Sequence, residues 1–127
     1  MQGRKEFRTF EDLECWQACR KLRLFAVEAC SRLPDSEKYR LKDQIIRAAR
    51  STTANIAEGY GRFHFQENIQ FCRQSRGSAY ELLDHFIAAG DDRLVADDVI
   101  KECRKYIEQA VLLLNGYIRY LEKCKHQ

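Results

Sequence analysis

The sequence has little of what builds loops and membrane segments: one proline and six glycines occur in 127 residues. An all-β domain needs many Gly- and Pro-rich turns, so this shortage argues against that class. No apolar run approaches the ~20 residues needed to cross a bilayer, and the charged first residues lead into no apolar signal segment. We therefore expect a helical protein that is cytoplasmic and has no membrane partner.

Sequence signatures of catalysis and metal binding are also missing. A di-iron helical bundle needs a glutamate three positions before its histidines, but those positions hold Gly61, Leu82 and Lys123. No nucleophile elbow and no phosphate-binding glycine loop occurs. The sequence therefore predicts no enzyme activity, no cofactor, no metal and no small-molecule substrate.

Six cysteines are present: Cys15, Cys19, Cys30, Cys72, Cys103 and Cys124. Without a secretory signal we expect reduced thiols, which pack like small apolar side chains. The first two are four residues apart, which places them on one helical face. That spacing also differs from the C-x-x-C spacing of a zinc knuckle.

Hydrophobic residues make up 45% of the chain and recur with a helical period in four long segments. The predicted helices span about 9–33, 36–60, 65–89 and 98–123. Pro34 ends the first segment, Gly59 and Gly61 end the second, and Gly90 ends the third. Four such helices with short connections predict an all-α, antiparallel, up-and-down four-helix bundle over residues 9–124. Residues 1–8 would form a short basic arm and residues 125–127 a tail.

Apolar side chains also occur outside the stripes that would form the core. On the first helix, Leu13, Trp16, Leu24 and Val27 fall nearly opposite the core stripe, and Leu112 lies on the polar side of the fourth helix. A helix with apolar residues on two sides needs two surfaces to bury them. We therefore predict that Leu13, Trp16, Val27 and Leu112 form a subunit interface and that the protein is a homo-oligomer.

Positive charge is distributed unevenly along the chain. Residues 37–62 and residues 99–127 each hold six basic and three acidic residues, whereas residues 63–98 hold three arginines and seven acidic residues. If several copies assemble, such basic stripes repeat and give a strong local field that attracts phosphates. The candidate nucleic-acid-binding side chains are Arg47, Arg50, Lys101, Lys105, Arg119 and Lys123.

Three motifs resemble those of a known family and occur in the same order. The first is Phe-Glu-Asp-Leu-Glu-Cys-Trp-Gln-Ala at residues 10–18. The second begins at Gln44 and ends with Asn-Ile-Ala-Glu-Gly-Tyr-Gly-Arg at residues 55–62, and the third is Arg-Gly-Ser-Ala-Tyr-Glu-Leu at residues 76–82. Together they resemble the four-helix-bundle proteins encoded in intervening sequences of 23S ribosomal RNA.

The resemblance implies a four-helix bundle that assembles into a homopentameric ring. A relative, the accessory variability protein of diversity-generating retroelements, uses this fold to bind a reverse transcriptase and nucleic acid. Two functions therefore stay open for this chain. One is a non-enzymatic, oligomeric adaptor that binds nucleic acid, in particular RNA. The other is a scaffold that docks a reverse transcriptase or another nucleic-acid enzyme without strong nucleic-acid binding of its own.

The second and third motifs also contain small and polar residues at helical spacings: Asn55, Glu58, Gly77, Ser78 and Glu81. A glycine inside a helix costs ~1 kcal/mol relative to alanine. We interpret Gly77 as a point where two helices, or two subunits, come close enough for the polar groups to hydrogen-bond and fix one arrangement. On this interpretation, Gly77→Leu is more damaging than Ala79→Leu.

Overall fold

The computed structural model describes residues 9–37 and 40–126, and every regular element in these residues is helical. A short 3-10 turn at Phe10–Asp12 precedes helix α1, and a second one at Asp35–Glu37 precedes helix α2. The four helices are α1 at Glu14–Ser31, α2 at Leu41–Gly61, α3 at Phe65–Asp91 and α4 at Asp97–Lys125. The predicted all-α, four-helix fold class is confirmed.

The first two helices begin later than the sequence predicted. Leu13 has an extended backbone (φ −73°, ψ 129°), which separates the first 3-10 turn from α1. After Pro34 the chain forms a 3-10 turn rather than helix, so α2 begins at Leu41 instead of near residue 36. Helices α3 and α4 match their predicted bounds to within two residues. The predicted arm at 1–8 and the last residue of the predicted tail lie outside the described residues.

Each helix packs against two others. Helix α1 contacts α2 and α4, and α3 contacts the same two helices. Helices α2 and α4 therefore lie diagonally across the core, as do α1 and α3. This arrangement gives every helix one inward stripe and one outward face.

The core consists of medium-sized apolar side chains and thiols. Its largest fully buried side chains include Leu22, Ile45, Ile56, Ile69, Leu82, Phe86 and Leu114. Five of the six cysteines are buried with them as free thiols. Burial raises the pKa of Cys19 to about 11 and of Cys72 and Cys103 to about 12. At neutral pH these thiols are uncharged and pack as small apolar groups, as the sequence indicated.

Two polar contacts, one buried and one part-buried, join neighbouring helices. Ser75 Oγ donates to the carbonyl oxygen of Thr52 at 2.7 Å and links α3 to α2. Asn68 Nδ2 donates to the hydroxyl oxygen of Tyr117 at 3.1 Å and links α3 to α4. Burial raises the pKa of Tyr117 to about 12. Because each of these groups has a partner, their burial fixes how the helices face each other.

The closest approach of α2 to α3 at a glycine lies at Gly59, not at Gly77. A Cβ atom at Gly59 would lie 2.8 Å from Phe71 Cβ and 2.9 Å from Asn68 Oδ1. A Cβ atom at Gly77 would meet no atom of the described chain within 4 Å. The prediction that two helices of one copy come close at Gly77 is therefore wrong, because this glycine lies on the outward face of α3. A contact between subunits at Gly77 stays a prediction.

For a single copy, we expect Ala79→Leu to be more destabilising than Gly77→Leu, the reverse of the order expected from the sequence. Ala79 is completely buried, whereas Gly77 is exposed. A leucine at position 79 would overpack the core, and such changes typically cost about 1–3 kcal/mol. A leucine at position 77 meets open space.

Candidate functional site

Four of the predicted phosphate-binding residues share the outward face of α4. Lys101, Lys105, Arg119 and Lys123 are all exposed. Their offsets of 4, 18 and 22 residues are close to whole helical turns, so they form a line roughly 33 Å long at 1.5 Å per residue. Among the described residues, none of the four pairs with a carboxylate, although the exposed Glu108 shares their face. We call these four residues the α4 basic stripe.

The two predicted arginines on α2 belong to a different surface. Arg47 and Arg50 are exposed, and Arg47 Nη1 lies 3.6 Å from Asp43 Oδ2. That ion pair compensates part of the charge of Arg47. Because α2 and α4 are diagonal in the bundle, the structure does not bring these arginines together with the α4 basic stripe. The six candidates therefore form two separate surfaces on one copy.

The predicted interface residues divide into covered and exposed ones. Leu13 and Trp16 are half-buried and pack against the core. The Phe10 ring meets the Trp16 ring edge-on, with a centroid distance of 5.3 Å. Val27 remains 40% exposed and Leu112 62% exposed. Of the four predicted residues, only these two keep a large uncovered apolar surface.

Three further apolar side chains near these positions are exposed: Leu24, which the sequence placed on the second apolar side of α1, and Tyr80 and Tyr120, which sequence reasoning missed. Leu24, one turn before Val27 on α1, is 52% exposed. Tyr80 on α3 and Tyr120 on α4 are 54% and 59% exposed and lie on either side of Leu112. The centre of the α4 outward face is therefore apolar, and its two ends are basic.

An open groove of about 930 Å³ lies between α4 and the start of α1. Three tyrosines line its wall, Tyr60, Tyr117 and Tyr120, together with Leu13, Leu112 and Gly116. We call this feature the aromatic groove. Among the described residues, the one atom within 4 Å of a Cβ atom at Gly116 would be Arg119 Nη2, at 3.9 Å, so this glycine leaves room along the groove. The Arg119 side chain of the α4 basic stripe reaches the groove, which therefore combines aromatic rings with a cation.

Two of the tyrosines form an ordered pair on α4. The rings of Tyr117 and Tyr120 stack with centroids 6.2 Å apart and planes inclined by 14°. The hydrogen bond from Asn68 holds the Tyr117 hydroxyl, while a contact with the Cys124 thiol raises the pKa of Tyr120. Both phenols are therefore neutral at physiological pH. The sequence signal for the tyrosine pair is a glycine, Gly116, that is followed by tyrosines one and four residues later.

A smaller groove of about 390 Å³ lies on the other side of Leu112, between α3 and α4. Tyr80, Leu83 and Val111 line it together with Arg104 and Glu108. Here the cation and the carboxylate come from the same helix, four residues apart. This groove thus lacks the stacked tyrosine pair found at the aromatic groove.

The polar motif residues on α2 and α3 meet only in part. Ser51 Oγ lies 2.8 Å from Ser78 Oγ, and Asn55 Nδ2 donates to Ser51 Oγ at 2.8 Å. The predicted link between Asn55 and Ser78 therefore passes through Ser51, which was not among the predicted packing residues. All three side chains are half-buried between α2 and α3.

Glu58 and Glu81, the two glutamates of the predicted packing residues, do not bridge α2 and α3. Glu58 Oε2 lies 3.0 Å from Arg62 Nη2, one turn further along α2. Glu81 Oε2 lies 3.2 Å from His85 Nε2, one turn further along α3. The prediction that these glutamates bond across the α2–α3 pair is wrong for a single copy, because both are exposed and have a basic neighbour on their own helix.

Residues 11–116 of the chain match the 23S rRNA-intervening sequence protein family. The chain belongs to this family. The match includes all of α1, α2 and α3 and most of α4, so the resemblance seen in the three motifs is confirmed. A search of curated proteins found no match to the chain.

As a member of the 23S rRNA-intervening sequence protein family, the chain carries part of its candidate site beyond the matched residues. Lys101 and Lys105 lie inside the match, whereas Arg119, Lys123 and the two stacked tyrosines follow residue 116.

Within the described residues, no group of three or more His, Cys, Asp or Glu side chains could hold a metal ion. None of the described helices has the length and apolar character required to span a membrane. The cytoplasmic location stays a prediction.

Proposed function

We propose that this protein is a non-enzymatic, oligomeric adaptor that binds nucleic acid, in particular RNA, through the α4 basic stripe. The observation that carries the proposal is the line of four exposed cations on one helix face, none of which pairs with a carboxylate in the described residues. Unpaired cations can bind phosphates without first breaking an internal ion pair. The family description refers to 23S rRNA, which also supports a nucleic-acid context.

The stripe favours backbone contacts over base-specific ones. Lysine and arginine side chains spaced along an exposed helix face can contact successive phosphates of a strand, and phosphate contacts carry no sequence information. Most of the affinity would then come from release of counterions, so it would depend strongly on salt and weakly on sequence. An adaptor with this property would locate RNA or a nucleoprotein rather than recognise one sequence.

We also propose that the bundle is antiparallel and that it forms a homopentamer. The order of contacts supports the first point: Arg23 of α1 bonds to Thr53 of α2 at 2.8 Å, whereas the later Cys30 bonds to the carbonyl of the earlier Lys42 at 3.6 Å. The uncovered Leu24 and Val27 on α1 support self-association. In a ring of five copies, the α4 basic stripe would be repeated five times around one axis.

Two matched double variants test the proposed site. Lys105→Glu with Lys123→Glu reverses two charges of the α4 basic stripe, and Arg47→Glu with Arg50→Glu reverses two charges on the opposite side of the bundle. At low salt we expect the first variant to bind single-stranded RNA at least tenfold more weakly than the parent, and the second to stay within about threefold. All four positions are exposed, so both variants should remain folded and keep the parent's oligomeric mass. Equal losses in the two variants would contradict the assignment to α4.

Leu112 favours a second candidate function. A leucine 62% exposed between two pairs of cations is unusual for a pure phosphate-binding surface. It suits a scaffold that docks a nucleic-acid enzyme, such as a reverse transcriptase, without strong nucleic-acid binding of its own. Absence of RNA binding by the parent at low salt, together with enzyme binding that Leu112→Ser abolishes, would favour the scaffold.

A further inference from the structure

The aromatic groove suggests a specific use for the end of the α4 basic stripe. We propose that the groove holds an unstacked base of a single-stranded nucleic acid, with Tyr120 as the stacking surface and Arg119 and Lys123 on the neighbouring phosphates. The proposal rests on the proposed nucleic-acid function and adds a base-binding site to it. Phosphate contacts alone would not require such a groove.

The size and shape of the groove fit a planar ring. Its volume of about 930 Å³ falls within the range of roughly 300–1,000 Å³ that is typical of small-ligand sites. Gly116 contributes no side chain, so the space beside Tyr120 remains open. Leu13 and Leu112 provide apolar edges on the two sides of that space.

Tyr120 offers an aromatic ring that the fold does not cover. Its side chain is 59% exposed, although exposure of so large an apolar surface is unfavourable. Tyr117 stacks with this ring and is itself fixed by its hydrogen bond from Asn68. The aromatic wall is therefore ordered before a ligand arrives, which lowers the entropic cost of binding.

The charges around the groove are divided between its two sides. Arg119 lines the α4 side, and Lys123 lies one turn further along the same face. Asp12 and Glu14 line the opposite side, and Glu14 is exposed. A phosphate is attracted to the cationic side, whereas the amino group of a base can donate to a carboxylate such as that of Glu14.

The geometry also selects single strands over duplexes. A base can enter a groove beside Tyr120 only if it has left the stack of its own strand. Stacking on an aromatic side chain tolerates any base and contributes about 1–3 kcal/mol per base, which corresponds to roughly 5- to 150-fold in affinity. We therefore expect binding to depend on the presence of bases but only weakly on their order.

The test compares two probes that differ only in their bases. One is a fluorescently labelled oligoadenylate of about twelve nucleotides, within the usual site size for single strands. The other is an abasic strand of the same length and charge. The parent is expected to bind the oligoadenylate about tenfold more tightly than the abasic strand. Tyr120→Ala should remove this preference, whereas Tyr120→Phe should keep it.

Tyr80 provides a matched control for Tyr120. It is 54% exposed and lies on the other side of Leu112, so Tyr80→Ala should keep the preference for the oligoadenylate. Equal binding of both probes by the parent would overturn the base site and leave the phosphate-binding function standing. Binding of neither probe would overturn both. A change in oligomeric mass in Tyr120→Ala, with the preference retained, would show that the groove is a subunit contact instead.

Discussion

At the scale of single residues, Gly59 and Gly77 show how one residue type meets two environments. A Cβ atom at Gly59 would enter the contact with α3, 2.8 Å from Phe71 Cβ and 3.2 Å from Asn68 Cα. Both neighbours are held by the backbone of α3 and cannot turn away. Gly77 faces open space, so its lack of a side chain only weakens the helix.

We expect opposite effects when each glycine is replaced by alanine. Gly59→Ala should lower the free energy of unfolding by about 1–3 kcal/mol because it overpacks the α2–α3 contact. Gly77→Ala should raise it by up to about 1 kcal/mol because alanine favours the helix. Urea unfolding of a dilute sample measures both. A larger loss for Gly77→Ala than for Gly59→Ala would show that another chain covers Gly77.

The buried thiols make stability depend on alkaline pH. The pKa of Cys72 and of Cys103 is about 12 in the folded chain, above the ordinary value of 9.0, because burial disfavours the thiolate. Between these two values the folded state binds more protons than the unfolded state. The stabilisation is therefore complete below pH 9 and is lost as the pH rises toward 12.

We expect the free energy of unfolding to fall steadily as the pH is raised from about 9 to 11. Urea unfolding at a series of pH values measures this slope. Cys103→Ala, which removes one of the titrating groups, should make the slope shallower even though it costs some stability at pH 7. A free energy of unfolding that is constant or rises above pH 9 would contradict burial of the thiols.

At the scale of helices, the bond between Asn68 and Tyr117 joins α3 to α4. Tyr117→Phe removes the hydroxyl and should cost about 1 kcal/mol, since it leaves the Asn68 amide without this partner. Tyr120→Phe is the control, because the Tyr120 side chain is largely exposed. Thermal and urea unfolding measure both. If Tyr117→Phe lowers the free energy of unfolding by the same amount in the Asn68→Leu background, the hydrogen bond between Asn68 and Tyr117 does not join the two helices.

The sequence predicted some helices better than others for physical reasons. Helices α3 and α4 carry uninterrupted apolar periodicity, so their bounds could be placed to within two residues. The starts of α1 and α2 could not, because a 3-10 turn and an extended Leu13 leave the spacing of apolar residues almost unchanged. Apolar periodicity predicts which face of a helix is buried, but it does not distinguish a preceding 3-10 turn from the first turn of the α-helix.

The candidate site was likewise predictable only in part. The α4 basic stripe lies opposite the apolar stripe of its own helix, so its exposure follows from one segment of sequence. The aromatic groove needs Leu13 from before α1, Tyr60 from α2 and Tyr120 from α4 to meet. The separation of Arg47 from that stripe depends equally on how the helices are ordered around the core. Packing between distant segments determines both features, and single-helix patterns do not contain it.

At the scale of the whole molecule, the uncovered apolar residues require a second copy in our account. We expect static light scattering after size exclusion to give about 75 kDa, which corresponds to a pentamer of 15.0 kDa chains. Leu24→Asp with Val27→Asp should lower this mass without unfolding the bundle, because both side chains are exposed on α1. A mass near 15 kDa at all micromolar concentrations would exclude self-association.

If phosphates bind to the α4 basic stripe, the affinity for RNA must depend on salt concentration. Affinity for a single-stranded RNA is measured by fluorescence anisotropy across a range of salt concentrations. For the parent, the logarithm of affinity should fall linearly with the logarithm of salt, with a slope near −3 if four phosphates are neutralised per copy. Replacing Lys105 and Lys123 by glutamine should reduce the steepness by about half. A parent that binds no RNA at low salt, or binds with a slope near zero, would contradict the account.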